Sequence, residues 1–253
     1  MFKGPAKSNM AIDGGAPAAL PPVVTSIRQV KVTGERKPFV PLDDGERLPD
    51  AGAARANIAA SYDKPHGTTE HGWAEKHQGK TVLQQHCEFF DSDRDGVIWP
   101  QDTFIGFYRL GFGIFLSLLS VFIIHANFSY PTCPSWLPDP FFRIYLARIH
   151  KDKHGSDTNT YDHQGRFVSQ HFEDVFSKYA DGRDFLTLTD LKNVVTGQRC
   201  IADPIGWGGA LFEWTATYLM LWPADGRMMK EDIRGIYDGS IFYTIADRRA
   251  KKN

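Results

Sequence analysis

The chain has 253 residues, 42% of them apolar, with 29 basic against 30 acidic side chains. A net charge of −1 and a mean hydropathy of −0.34 exclude a phosphate-neutralising nucleic-acid binder and a polytopic membrane protein. Three cysteines and a start with no apolar h-region point to a reducing, cytosol-facing location, not to a disulfide framework.

Residues 1–75 hold eight Pro, eight Gly and only four aromatics (Phe2, Phe39, Tyr62 and Trp73). So little apolar surface does not offset the entropy of ordering a chain, and the expectation is a largely flexible N-terminal region. Within it, Thr25–Val32 alternates apolar and polar residues. It reads equally well as a short strand or arm and as a disordered stretch.

Val82, Leu83, His86, Cys87, Phe89 and Phe90 recur at helical spacing, which predicts an amphipathic helix over about 76–90. An acidic loop, Asp91–Asp102, follows and matches the twelve-residue EF-hand pattern. Asp91, Asp93 and Asp95 stand at positions 1, 3 and 5, and Gly96 stands at the sharp turn. Val97 offers its backbone carbonyl at position 7, and Ile98 is apolar at position 8. A hard cation such as Ca²⁺ takes six to eight oxygens, and these residues supply most of them. Asp102 occupies position 12, where a Glu normally binds through both oxygens. Its shorter side chain predicts weaker Ca²⁺ binding and a narrower preference over Mg²⁺. Thr160–His171, Tyr179–Asp190 and Leu221–Asp232 keep the apolar position 8 but lack most oxygens. They read either as degenerate helix-loop-helix units or as ordinary turns.

From Leu110 to Pro138 no Asp, Glu, Lys or Arg occurs. The uncharged stretch Leu110–Ile124 spans about 22 Å as a helix, short of a ~30 Å hydrocarbon core. A simple span is therefore disfavoured. A buried core helix or a segment inserted into a lipid surface remains, and Pro131, Pro134, Pro138 and Pro140, with Trp136 and Tyr130, favour insertion. His150 and His154 lie four residues apart, but without the intervening Glu of a zinc protease they are weak metal candidates.

One EF-hand loop, an uncharged segment, the proline knot Tyr130–Phe142, the run Ile149–Asp157 and the run Thr160–Phe167 occur in this order. Together they resemble the caleosin (peroxygenase) family over about 76–247. The resemblance implies a Ca²⁺-binding haem protein of lipid droplets and endoplasmic reticulum membrane. It implies an enzyme that cleaves a fatty-acid hydroperoxide heterolytically at haem b and passes the oxygen to an unsaturated lipid or other acceptor. On the matching positions it makes His86 and His154 the haem-binding and catalytic residues, with His150 secondary. A further family histidine is replaced by Ala147. The expected fold is mostly α: one intact EF-hand (76–103) and degenerate ones, an apolar anchor with its proline knot (104–142), and a helical C-terminal domain (143–253) after the flexible region. A non-enzymatic, Ca²⁺-responsive lipid-droplet coat or tether is the competing expectation.

Overall fold

The computed structural model describes residues 36–41 and 47–251, so the expected strand or arm at Thr25–Val32 lies outside the described residues. The chain is mostly α-helical, with strands of two residues. Four helices begin at, or within two residues of, the end of such a strand. β2 (Val97–Ile98) leads into α3 (Pro100–Arg109), and β4 (Phe167–Val168) into α5 (Ser169–Tyr179). β5 (Phe185–Leu186) leads into α6 (Leu188–Gly197), and β6 (Met228–Met229) into α8 (Lys230–Tyr237). Each strand is the apolar centre of one of the four loops singled out above. β5 and β6 pair antiparallel with Leu186 opposite Met228, so the position-8 residues of two oxygen-poor loops face each other. β2 pairs instead with β3 (Ile144–Tyr145), Ile98 opposite Ile144, and β4 pairs with β1 (Ala54–Arg55).

Residues 47–75, placed by composition in the flexible region, are packed. Leu48, Ala60 and Tyr62 are buried together with Phe39, Ala51 and Ile58 against them. Arg234 of α8 binds the Ala59 carbonyl and Thr68 Oγ1, and it pairs with Asp238 at 3.2 Å and Glu231 at 2.6 Å. The polar residues of the segment thus complete buried ion pairs of the helical body. Average apolarity does not register that kind of anchorage.

The helix expected over 76–90 is two pieces, α1 (Trp73–Lys76) and α2 (Val82–Glu88). Thr81 restarts it: its hydroxyl accepts the Gln84 N–H at 3.3 Å, and its N–H donates to Gln84 Oε1 at 2.9 Å. That reciprocal box fixes a helix N-terminus.

The apolar segment also differs from expectation. Gly111, at φ +91°, breaks the chain after α3, and α4 runs Ile114–Thr132. Pro131 falls in the last turn of α4, where its ring costs few intrahelical bonds. The helix is therefore 19 residues, about 28 Å, and among the described residues it is the one long and apolar enough to cross a membrane. Its burial is inverted. Ser117, Ser120, His125, Ser129 and Thr132 face inward, whereas Phe115 (77%) and Phe122 (72%) face out. His125 holds the inner side: Nε2 lies 2.8 Å from Thr103 Oγ1 of α3, and Nδ1 lies 2.6 Å from the Phe142 carbonyl. The proline-rich chain folds back onto α4, Tyr145 N–H donating to Thr132 Oγ1 and Arg148 to the Cys133 carbonyl. Trp136, Leu137, Phe141 and Phe142 remain exposed at its tip.

Candidate functional site

α2 carries His86, and the 3₁₀ segment Leu146–Asp152 leads to His154. His154 faces α7 (Pro204–Leu221), an 18-residue helix with a single charged side chain, Glu213, whereas His86 packs against Ile236 of α8 and Phe242. His154 Nε2 lies 3.6 Å from Glu213 Oε1, and this contact raises the proton affinity of the imidazole. His154 Nδ1 is buried without a hydrogen-bond partner. At His86 burial lowers the proton affinity, opposed by the Ile236 carbonyl and the charges of Glu213 and Asp238. His86 Nδ1 lies 2.7 Å from the Ile236 carbonyl, and Phe242 packs edge-on at 5.1 Å. A carbonyl on Nδ1 fixes that nitrogen as the donor and leaves Nε2 as the ring's lone-pair atom.

The loop that bears His154 is seated on α7 by its own sequence. Asp203 caps the helix, accepting the Gly206 N–H at 3.0 Å, and accepts the Ser156 hydroxyl at 2.7 Å. The Cys200 N–H donates to Ser156 Oγ, and its thiol donates to the Gly155 carbonyl. Gly209 then gives the histidine room: a Cβ there would stand 3.3 Å from the His154 ring.

Two tyrosines close the far side. Tyr161 donates to the Tyr237 carbonyl at 2.5 Å, and the Tyr237 hydroxyl meets Thr158 Oγ1 at 3.0 Å. Burial pushes the Tyr237 phenol up to about 12. Asp152 is buried with both carboxylate oxygens unpaired, and burial pushes it up to about 8. The neighbouring Cys87 thiol is pushed up to about 12 by burial and by Asp152, so it is an inert thiol. His150 is half-buried in the 3₁₀ segment.

Sequence reasoning missed Glu213, Asp152, Tyr161 and Tyr237. Only Glu213 carries a local signal, as the lone charge in an otherwise apolar helix.

The acidic loop assembles as its spacing predicts at three positions. Oxygens of Asp91, Asp93 and Asp95 lie within 4.8 Å of one another. Asp91 is buried and accepts the N–H groups of Asp95 at 3.2 Å and Gly96 at 3.1 Å. Burial, reinforced by Asp93 and Asp95, raises its pKa against the lowering effect of the Gly96 N–H. Gly96 takes φ +83° at the turn, and Val97 donates to Asp95 Oδ1. Asp102 does not join the three. Its Oδ2 accepts the Trp99 N–H at 2.9 Å and caps α3. The two principal clefts contain neither these carboxylates nor His86 and His154. The larger, about 550 Å³, lies between Lys64–His77 and α8 with α9 (Ser240–Ala250).

A mostly helical body carries a three-carboxylate loop, an apolar helix long enough to cross a membrane and a histidine paired with a glutamate. The match to known proteins is narrower. The chain belongs to the caleosin family, whose model, described as caleosin related protein, matches residues 78–246. It is 39% identical over 233 residues to a peroxygenase of Lilium longiflorum, covering 92% of this chain and 95% of that one. It is 36% identical over 171 residues to probable peroxygenase 4 of Arabidopsis thaliana, covering 67% of this chain and 88% of the relative. A probable inactive peroxygenase-like protein of Arabidopsis thaliana is 29% identical over 154 residues, 58% of this chain and 71% of that protein. No solved structure matches. These similarities support a peroxygenase-type oxidoreductase activity.

Proposed function

We propose that the protein is a haem-dependent, Ca²⁺-binding peroxygenase working on lipids at the cytosolic face of lipid droplets and endoplasmic reticulum membrane. The observation that carries this reading is the different setting of the two histidines: His154 meets Glu213 at 3.6 Å with its Nδ1 buried and unpartnered, and His86 is bonded to the Ile236 carbonyl. Burial disfavours a charge on His86, and with Nδ1 satisfied Nε2 is left over, which suits a ligand to haem iron. Haem b bound there would supply a redox-active iron for oxygen transfer from a hydroperoxide. His154, held by Glu213, suits the proton work instead. The pair accepts the proton of the fatty-acid hydroperoxide and returns it to the departing alkoxide oxygen. The balance is hydroperoxide plus unsaturated lipid acceptor giving alcohol plus oxygenated acceptor, with no net proton. Orphaned Nδ1 of His154 and the apolar surroundings of His86 favour a bound group at these two rings.

The lipid reading rests on α4, whose polar side chains turn inward and whose Phe115, Leu118 and Phe122 turn out. Asp91, Asp93 and Asp95, with the Val97 carbonyl, make the EF-hand cation site, and Asp102 completes it from α3 once it shifts from its capping bond. Asp102→Glu restores the two-oxygen reach while keeping an acid at the same helix position. It is expected to tighten Ca²⁺ roughly tenfold or more and to widen the preference over Mg²⁺, read by calorimetric titration of both ions. Equal affinity in the variant would remove Asp102 from the ligand set.

The test of the enzyme reading is an absorbance spectrum. The protein saturated with haem shows a Soret band, and linoleic acid hydroperoxide is consumed as an added unsaturated fatty acid gains oxygen. A colourless protein that takes up no haem, yet floats with lipid droplets, would favour a structural coat instead. The relative described as inactive gives that second reading its footing.

A further inference from the structure

We infer that the outer face of α7 is a second lipid-contact surface, in addition to the lipid face of α4. The inference rests on the lipid-surface reading of α4 given above.

α7 is apolar on both faces. Gly206, Ala210, Thr217 and Met220 are buried, and Trp214, Tyr218 and Leu221 pack partly buried against the core. Its outward residues are Ile205 (73% exposed), Leu211 (59%) and, at the C-terminal end, Trp222 (68%), with Ile201 (95%) just before the helix. Positions 205, 208, 211 and 215 form one exposed, uncharged stripe at helical spacing. Glu213, the one charge, is also exposed but pairs with His154 on another face. A surface helix facing water carries polar residues along its outer stripe, and here Ile205 and Leu211 stand there instead.

Three further observations select a lipid surface. Ile124 of α4 and Ala216, Leu219, Met220 and Leu221 of α7 belong to one apolar cluster. Trp207 and Trp222 mark the ends of α7, the positions tryptophan takes at a hydrocarbon boundary. Arg199 lies 5.2 Å over the Trp207 ring, and Arg227 follows Trp222, so cations flank the apolar stripe where phosphate headgroups would meet it. The inner face of α7 packs on protein, so the helix lies along the surface and does not cross it.

The experiment uses the full chain and phosphatidylcholine-coated triacylglycerol droplets, with binding read by flotation. Ile205→Glu with Leu211→Glu changes two exposed positions that meet solvent in the free protein. This double variant is expected to lower the partition coefficient by about tenfold or more. In the unaltered helix, brominated phosphatidylcholine should quench a component of tryptophan emission that disappears in Trp222→Phe. Unchanged flotation together with no Trp222-dependent quenching would overturn the inference. Loss of dimers in sedimentation, with unchanged flotation, would overturn it too and make the face a contact between copies. Phe115→Glu with Phe122→Glu separates the two claims. If only this pair abolishes flotation, α4 stands and α7 falls; if neither pair matters, the lipid reading itself fails.

Discussion

His86→Ala is expected to abolish haem binding, whereas His154→Ala keeps the Soret band and loses turnover. The two rings differ in what their nitrogens already do. His86 spends Nδ1 on the Ile236 carbonyl and burial disfavours its charged form, which leaves Nε2 for the proposed iron bond. Removing it leaves a cavity lined by Phe242 and no nitrogen from α2, and haem affinity should fall by two orders of magnitude or more. His154 has Nε2 directed at Glu213 and a raised proton affinity, the state of a group that carries protons. Its removal is expected to lower kcat/KM for hydroperoxide-dependent oxygenation about 10²–10⁴-fold while haem still binds. Soret titrations of both variants, with added imidazole to refill the His86 cavity, check the division. Retained colour in His86→Ala with loss of colour in His154→Ala would reverse the assignment. Loss in both would make both histidines iron ligands, as the family resemblance implies.

How far the sequence led depends on the range over which each signal acts. The acidic loop was legible because oxygen donors for a cation sit at fixed offsets along a dozen residues, and Asp91, Asp93 and Asp95 do converge. Its partner was not. Ile98 pairs with Ile144, 46 positions on and outside any helix-loop-helix pattern, while Leu186 and Met228 of two oxygen-poor loops pair with each other. Strand pairing of two residues leaves almost no local trace. The apolar segment was recognised, but its length was not, because Pro131 was taken as a stop and the break at Gly111 was not seen. Histidines 86 and 154 came from resemblance. Nothing in their local spacing distinguishes a neutral ring bonded to Ile236 from a ring paired with Glu213, since both partners arrive from distant helices. Residues 47–75 show the same limit in reverse. Their low apolar content pointed to flexibility, and Arg234 with Asp238, more than 150 positions away, supplies the polar anchorage at Thr68.

Asp152 makes folding stability fall as pH rises across the neutral range. Its two oxygens are buried with no donor near them, and burial lifts the carboxyl to about 8 from an ordinary value near 3.8. Between those two values the folded protein holds a proton that the unfolded chain has released. The unfolded state then binds fewer protons, so unfolding becomes easier by up to about 1.4 kcal/mol per pH unit until the folded carboxyl ionises. Summed over the window, the cost is on the order of several kcal/mol, fully present above about pH 8 and absent below about pH 4. Asp152→Asn removes the ionisation and nearly preserves the shape. The variant should match the parent near pH 4 and exceed its stability progressively toward pH 8, in urea unfolding of the haem-free protein. Other carboxylates add their own pH slopes to both proteins, so the difference between the curves is the quantity to read. Parallel curves would mean that Asp152 finds a partner in solution. A divergence confined to the haem-free form would mean that bound haem supplies that partner, tying this unpaired carboxyl to the proposed haem site.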